Sequence, residues 1–206
     1  MVKKSKSFNI VIYPSKDIII RAIKTSKSFK RKGSSFVLDG KNYFPHITIY
    51  MTEFPSKNTR AIKELLKQFS LGIKPFQITA SGYRQNKDGY IDVNYKKTKS
   101  INELQKKVVT LLNPFREGLL RLKDKERLKE FSKSQQKNIK LYGYRSVGTE
   151  FYPHLTFTKL KQYSKLTLSD MKKDNFSFKV GKIGLFYLGE YGTCRKLIKI
   201  FDFSHV

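Results

Sequence analysis

Two strings in opposite halves of the chain constrain its fold more than any other feature: Pro45-His46-Ile47-Thr48-Ile49 and Pro153-His154-Leu155-Thr156-Phe157. Only three histidines occur in 206 residues, so two of the three share one P-H-x-T-apolar frame. With six prolines in the chain, chance is a poor explanation for that repetition. Both strings lie in runs of β-type composition, FPHITIYM and YPHLTFTK, in which side chains alternate between faces. The alternation predicts Phe44, His46, Thr48 and Tyr50 on one face of the first strand, with Ile47, Ile49 and Met51 opposite. In the second strand it predicts Tyr152, His154, Thr156 and Thr158 on one face and Leu155 and Phe157 on the other. Each strand thus offers an apolar face to a core, and an imidazole plus a hydroxyl to whatever lies across from it.

If the two strands face each other across a groove, two imidazoles and two hydroxyls converge on one point. That set suits metal-free phosphodiester chemistry. One neutral histidine takes a proton from the attacking oxygen and one protonated histidine gives a proton to the leaving oxygen, since an ordinary imidazole exists in both forms near neutrality. The hydroxyls can donate to the non-bridging phosphate oxygens, where charge accumulates in the transition state. A strand histidine satisfied inside a core is a sound reading of either site alone, but it does not account for the matched pair.

With HITI at 46–49 and HLTF at 154–157, the chain resembles the two-histidine (2H) phosphoesterase superfamily, whose members carry two H-x-T/S-x motifs on opposed lobes. The family includes 2′,5′ RNA ligase-like proteins, phosphodiesterases acting on 2′,3′-cyclic ends and enzymes that cleave 2′,5′-linked oligonucleotides. The resemblance implies an α+β, two-lobed fold with pseudo-twofold antiparallel sheets, helices packed outside and a central groove carrying both motifs. It implies His46 and His154 as the catalytic pair and Thr48 and Thr156 as the phosphate-binding hydroxyls. The expected activity is hydrolysis of 2′,3′-cyclic phosphate ends or cleavage of 2′,5′ linkages in RNA or oligonucleotides, without metal or cofactor. Two alternatives stand beside it: cleavage of cyclic or 2′,5′-linked immune signalling oligonucleotides, and a non-catalytic basic RNA-binding protein.

The net charge of +27, from 43 Lys plus Arg against 16 Asp plus Glu, attracts polyanions, and RNA is the polyanion that suits the histidine chemistry. A hydrophobic fraction of 39 % is enough for one core, so residues 1–206 read as a single bilobal domain, expected to be a monomer. A lone cysteine, Cys194, rules out a disulfide framework and a cysteine-based metal site, and His205 is the only spare imidazole. No run approaches the roughly 18 apolar residues of a membrane span, and the basic start lacks a cleavage site, so the expected location is the cytoplasm.

Along the chain, FNIVIYPS reads as a buried strand, followed by a helix from Ser15, as its cap, to about Lys30. KRKGSS reads as a loop near the groove mouth, and FVLDG as a strand pairing with the first histidine strand across Asp39-Gly40. Ser56 is placed to cap a helix with Ile62, Leu65, Leu66 and Phe69 as its stripe; a hairpin turning near Lys87-Asp88-Gly89 and a helix from about Ser100 to Pro114 follow. Residues from about 115 to 140 read as a basic, exposed helical insert. After the second motif, a short helix near Ser169 to Lys173 and a strand-rich run turning at Tyr191-Gly192 repeat the order of strand, helix and hairpin. Substrate-binding candidates are Phe44 and Tyr152, two residues before each histidine, and Tyr144 and Arg145 in the loop entering the second motif, with Tyr142 and Arg84 of the same kind. Glu53 and Glu150 read as solvated strand ends, and no phosphate-binding P-loop is present.

Overall fold

The computed structural model describes residues 4–161 and 175–204. The helix expected near residues 169–173, and His205, lie outside the described residues. The strands are β1 (Ser5–Ile12), β2 (Ile47–Pro55), β3 (Phe76–Ile78), β4 (Ala80–Gln85), β5 (Tyr90–Tyr95), β6 (His154–Lys159), β7 (Phe178–Val180), β8 (Lys182–Leu188) and β9 (Cys194–Asp202). The helices are α1 (Lys16–Ser28), α2 (Thr59–Leu71), α3 (Lys99–Leu112), α4 (Leu122–Glu126) and α5 (Lys133–Tyr142).

Seven strands form one antiparallel sheet in the order β4-β5-β6-β2-β1-β8-β9, and β3 pairs with β7 in a separate ribbon. The connectivity is palindromic about the β6–β2 junction. β1, α1, β2, β3 and β4 correspond to β5, α3, β6, β7 and β8, with β9 as an added edge. α1 packs against β6 and α3 against β2, so the first helix of each half covers the other half's histidine strand. The duplication is therefore phased differently from the expected strand, helix and hairpin. The β4–β5 hairpin straddles the boundary, and β5 opens the second half. Because β2 and β6 are in register at one pair only, Ile47 and Leu155, the halves diverge from that point as two lobes of a single sheet.

The core lies where helical period meets strand period. Ile18 and Ala22 of α1, Ile62 and Leu66 of α2, and Ile101, Leu104, Val108 and Leu112 of α3 pack on one sheet face with Phe8, Ile10, Ile12, Ile47, Val93, Leu155 and Phe157. Burying a side chain of this size contributes about 1.5–3 kcal/mol.

Several local expectations change. FVLDG does not pair with β2. Instead the Asp39 carboxylate accepts the backbone N–H groups of Lys41, Asn42 and Tyr43 at 2.8, 2.7 and 2.9 Å, closing a turn that leaves β2 free to pair with β1 and β6. Partial burial pushes the Asp39 carboxyl up, but these donors outweigh it and hold the group at about 2. Ser15 donates its hydroxyl to the Asp17 carboxylate and accepts no backbone N–H from the first turn of α1. Ser56 opens a 3-10 turn, so Asn58 is the residue that precedes α2. The insert holds α4 and α5, and α5 opens on a capping box of Ser132 and Gln135. Buried Arg116 donates to the carbonyls of Leu119 at 2.5 Å and Leu141 at 3.0 Å, tying both ends of the insert together.

Candidate active site

In both histidine strands the third residue after the histidine lacks a partner across the ladder. Ile49 falls between the pairs Val11–Thr48 and Ile10–Tyr50, and Phe157 between Asp92–Thr156 and Ile91–Thr158. Such a bulge turns two successive side chains the same way. Ile49 and Tyr50 both enter the core, and so do Phe157 and Thr158. The alternation expected to carry Tyr50 and Thr158 into the groove is therefore reversed: their hydroxyls donate to the carbonyls of Tyr142 and Phe36, each at 2.6 Å. Met51 and Lys159 take the groove face in their place, opposite Asn9 and Tyr90.

The Ile47–Leu155 pair places the reactive groups. Continued one residue each way, its antiparallel register sets His46 across from Thr156 and Thr48 across from His154, all on the face away from the core. Each imidazole donates its Nδ1 hydrogen to the carbonyl two residues earlier, His46 to Phe44 at 2.8 Å and His154 to Tyr152 at 2.7 Å. A carbonyl can only accept, so Nδ1 carries the hydrogen and Nε2 is left for chemistry. The intervening proline explains its own recurrence. It fixes its φ and holds the preceding residue extended, which turns that residue's carbonyl towards the ring.

Burial pushes the His46 imidazole down to about 4, and the charge of His154 acts in the same direction; the carbonyls of Phe44 and Gly192 resist without prevailing. His46 is thus neutral around pH 7, and its Nε2 lone pair is available to a proton.

The two hydroxyls are not equivalent. Thr48 Oγ1 accepts from the Asn9 amide at 3.1 Å, so its own hydrogen remains free for an anion. Thr156 donates its hydrogen to Asp92 at 2.6 Å. Burial raises the Asp92 carboxyl, against the opposing effects of His154, the Thr156 bond and Arg84. When Asp92 is protonated it becomes the donor, and the Thr156 hydrogen is released towards the groove.

Tyr152 is 37 % exposed, with the Arg84 guanidinium 5.3 Å from its ring and the His154 ring 5.6 Å away. Phe44 packs on Phe186 at 5.1 Å and joins Val11 and Cys194 in an apolar patch on the groove side of the sheet. Tyr144 does not line the groove. It is 7 % exposed and packs against Tyr50 in the core, so it offers no free face to a base. Arg145 is exposed and stacks on Phe131 at 5.0 Å. Sequence reading missed Asn9, Asp92 and Gly192, which reach the site from other strands and a turn. The one available signal was a polar residue inside each of the apolar runs FNIVI and YIDVN. Among the described residues no three of His, Cys, Asp and Glu gather as a metal would need, and no helix is long and apolar enough to cross a membrane.

The description of the 2′-5′ RNA ligase superfamily matches residues 19–191, and the chain belongs to that superfamily, the two-histidine phosphoesterases. No curated protein matches it. Among solved structures it is similar to Escherichia coli LigT complexed with 3′-AMP, at 14 % identity and a TM-score of 0.63 over 98 % of this chain and 100 % of that one. It is also similar to TT0787 of Thermus thermophilus, at 12 % identity and a TM-score of 0.59 over 97 % and 100 % of the two chains. At these identities the likeness is one of fold: a mixed sheet-and-helix architecture with the helices outside. Superfamily membership makes the protein phosphoesterase-type.

Proposed function

We propose that the protein is a metal-independent phosphodiesterase acting on RNA or oligonucleotides, which hydrolyses 2′,3′-cyclic phosphate ends or cleaves 2′,5′ linkages. The observation that carries this reading is the convergence of two imidazoles across one strand pair, each with Nδ1 committed to a backbone carbonyl. Neutral His46 takes the proton of the attacking oxygen, from water for a cyclic end or from the adjacent ribose hydroxyl for a 2′,5′ linkage. As the new oxygen–phosphorus bond forms, the bond to the leaving oxygen breaks, and that oxygen receives a proton from His154. Thr48 donates to a non-bridging oxygen, joined by Thr156 when Asp92 holds a proton. The net charge of +27 favours a polyanionic substrate.

The test is turnover of a panel comprising 2′,3′-cyclic nucleotides, 2′,5′-oligoadenylate, 3′,5′-linked RNA and cyclic oligonucleotides, with EDTA present. His46→Ala and His154→Ala are each expected to lower the rate by about 10²–10⁴ fold while the melting temperature and RNA affinity are kept. The mechanism is falsified if either variant retains the wild-type rate. Retained RNA binding with no member of the panel cleaved would favour a binding module instead.

A further inference from the structure

The groove continues past the histidines to a lysine that the reaction centre does not use. Beyond the Phe157 bulge, Lys159 takes the groove face, and its ammonium lies 5.4 Å from the Tyr90 ring centroid and 5.0 Å from that of Tyr191. The rings come from different parts of the fold: Tyr90 from β5, Tyr191 from the turn between β8 and β9. Among the described residues this ammonium has neither a carboxylate nor a hydrogen-bond partner. An ammonium held between two aromatic rings keeps its charge and loses freedom, while its N–H donors stay open to a ligand.

Tyr191 has a φ of 59°, a left-handed conformation that is uncommon for a bulky residue and concentrates at functional turns. Its ring is anchored by stacking on Phe36 at 6.2 Å, and Phe36 stacks on Tyr43 at 5.6 Å. Charges of both signs act at this end of the groove: burial raises the Tyr90 hydroxyl, Asp88 and Asp92 act in the same direction, and Arg145 opposes them. Exposed Lys30, Arg31 and Lys32 lead into a loop whose Ser35 N–H bonds the Lys159 carbonyl at 2.7 Å.

We propose that Lys159, clamped by Tyr90 and Tyr191, binds the phosphate next to the one that reacts, so that the enzyme prefers oligonucleotides to single nucleotides. This rests on the phosphodiesterase reading above. Lys159 stands three residues beyond Thr156, about 10 Å of strand, so the clamped ammonium lies along the path of a phosphodiester that flanks the scissile one. A point charge suits a phosphate met in more than one geometry, as a scissile phosphate and its neighbour would present along a flexible single strand.

The experiment compares turnover of adenosine 2′,3′-cyclic phosphate, which carries one phosphate, with that of a dinucleotide ending in the same cyclic phosphate, which carries two. Wild type prefers the dinucleotide. Lys159→Met lowers that preference about tenfold, through KM rather than kcat, and Lys159→Arg restores most of it. In parallel, binding of fluorescently labelled oligoadenylate to the His46→Ala protein is followed against salt. Adding Lys159→Met reduces the log–log slope by about 0.7, one phosphate contact on a single strand. An equal loss on both substrates, or an unaltered salt slope, overturns the proposal and leaves Lys159 as a staple between Tyr90 and Tyr191. If wild type turns over neither substrate, the cyclic-end form of the phosphodiesterase reading fails, and the salt slope alone decides whether Lys159 holds a phosphate.

Discussion

At the scale of single residues, the two histidines share a hydrogen-bonding pattern but not an environment. Burial holds His46 neutral, down to about 4, so the acid limb of kcat/KM is expected near pH 4 rather than near the ordinary imidazole value of about 6.5. The same shift affects stability. Between about pH 6.5 and pH 4 the unfolded chain binds a proton at His46 that the folded chain does not, so stability falls as pH is lowered through that window. Urea unfolding at pH 7 and pH 4.5 measures this. The drop in wild type should exceed the drop in His46→Gln, and equal drops would show that the imidazole is not held neutral. The histidines and threonines were legible in the sequence because their frame repeats. Asn9 and Asp92, which make the two hydroxyls unequal, were not, because each meets its threonine across a ladder whose register sequence does not state.

At the scale of elements, the apolar residue that closes each motif has a physical role: it is the bulged position. Ile49 and Phe157 are driven into the core, so the bulge is anchored by burial, and the threonine before it stays aimed at the groove. Phe157 packs against Phe176 at 5.2 Å and Tyr83 at 6.0 Å with no solvent exposure. Phe157→Ala is therefore expected to cost about 3–5 kcal/mol in urea unfolding. A loss under about 1 kcal/mol would mean that the strand slips back into even register. Strict alternation misplaced Tyr50, Met51 and Thr158 for this one reason. A bulge shifts every later side chain to the opposite face, and nothing in a period-two pattern announces it. The strand expected at FVLDG failed differently, because Asp39 found three backbone donors within its own turn.

At the scale of the whole molecule, the palindromic sheet brings unlike surfaces together. The lobe built on β2, β1, β8 and β9 lines the groove with Val11, Phe44, Phe186 and Cys194, the lobe built on β6, β5 and β4 with Arg84, Tyr90, Asp92 and Asn94. Away from the groove, Lys133, Lys137 and Lys140 line a shallow cleft on α5 beside Leu141, itself 49 % exposed. If this face follows an RNA backbone, changing the three lysines to glutamine should make RNA binding less salt-sensitive, by about 0.7 in slope per lost contact, and leave dinucleotide turnover intact. An unaltered slope would mark the charge there as compositional. The sequence by itself determined the repeated P-H-x-T frame, the helix stripes and a repeated order of elements, because each is written in local spacing, and the frame carried the family resemblance that implied the fold class. Only the tertiary structure decided the phase of the repeat, the parity beyond each bulge, the burial of Tyr144 and the meeting of Lys159 with two tyrosines. Those depend on which strands pair, and pairing is settled by burial of the whole core rather than by any segment alone.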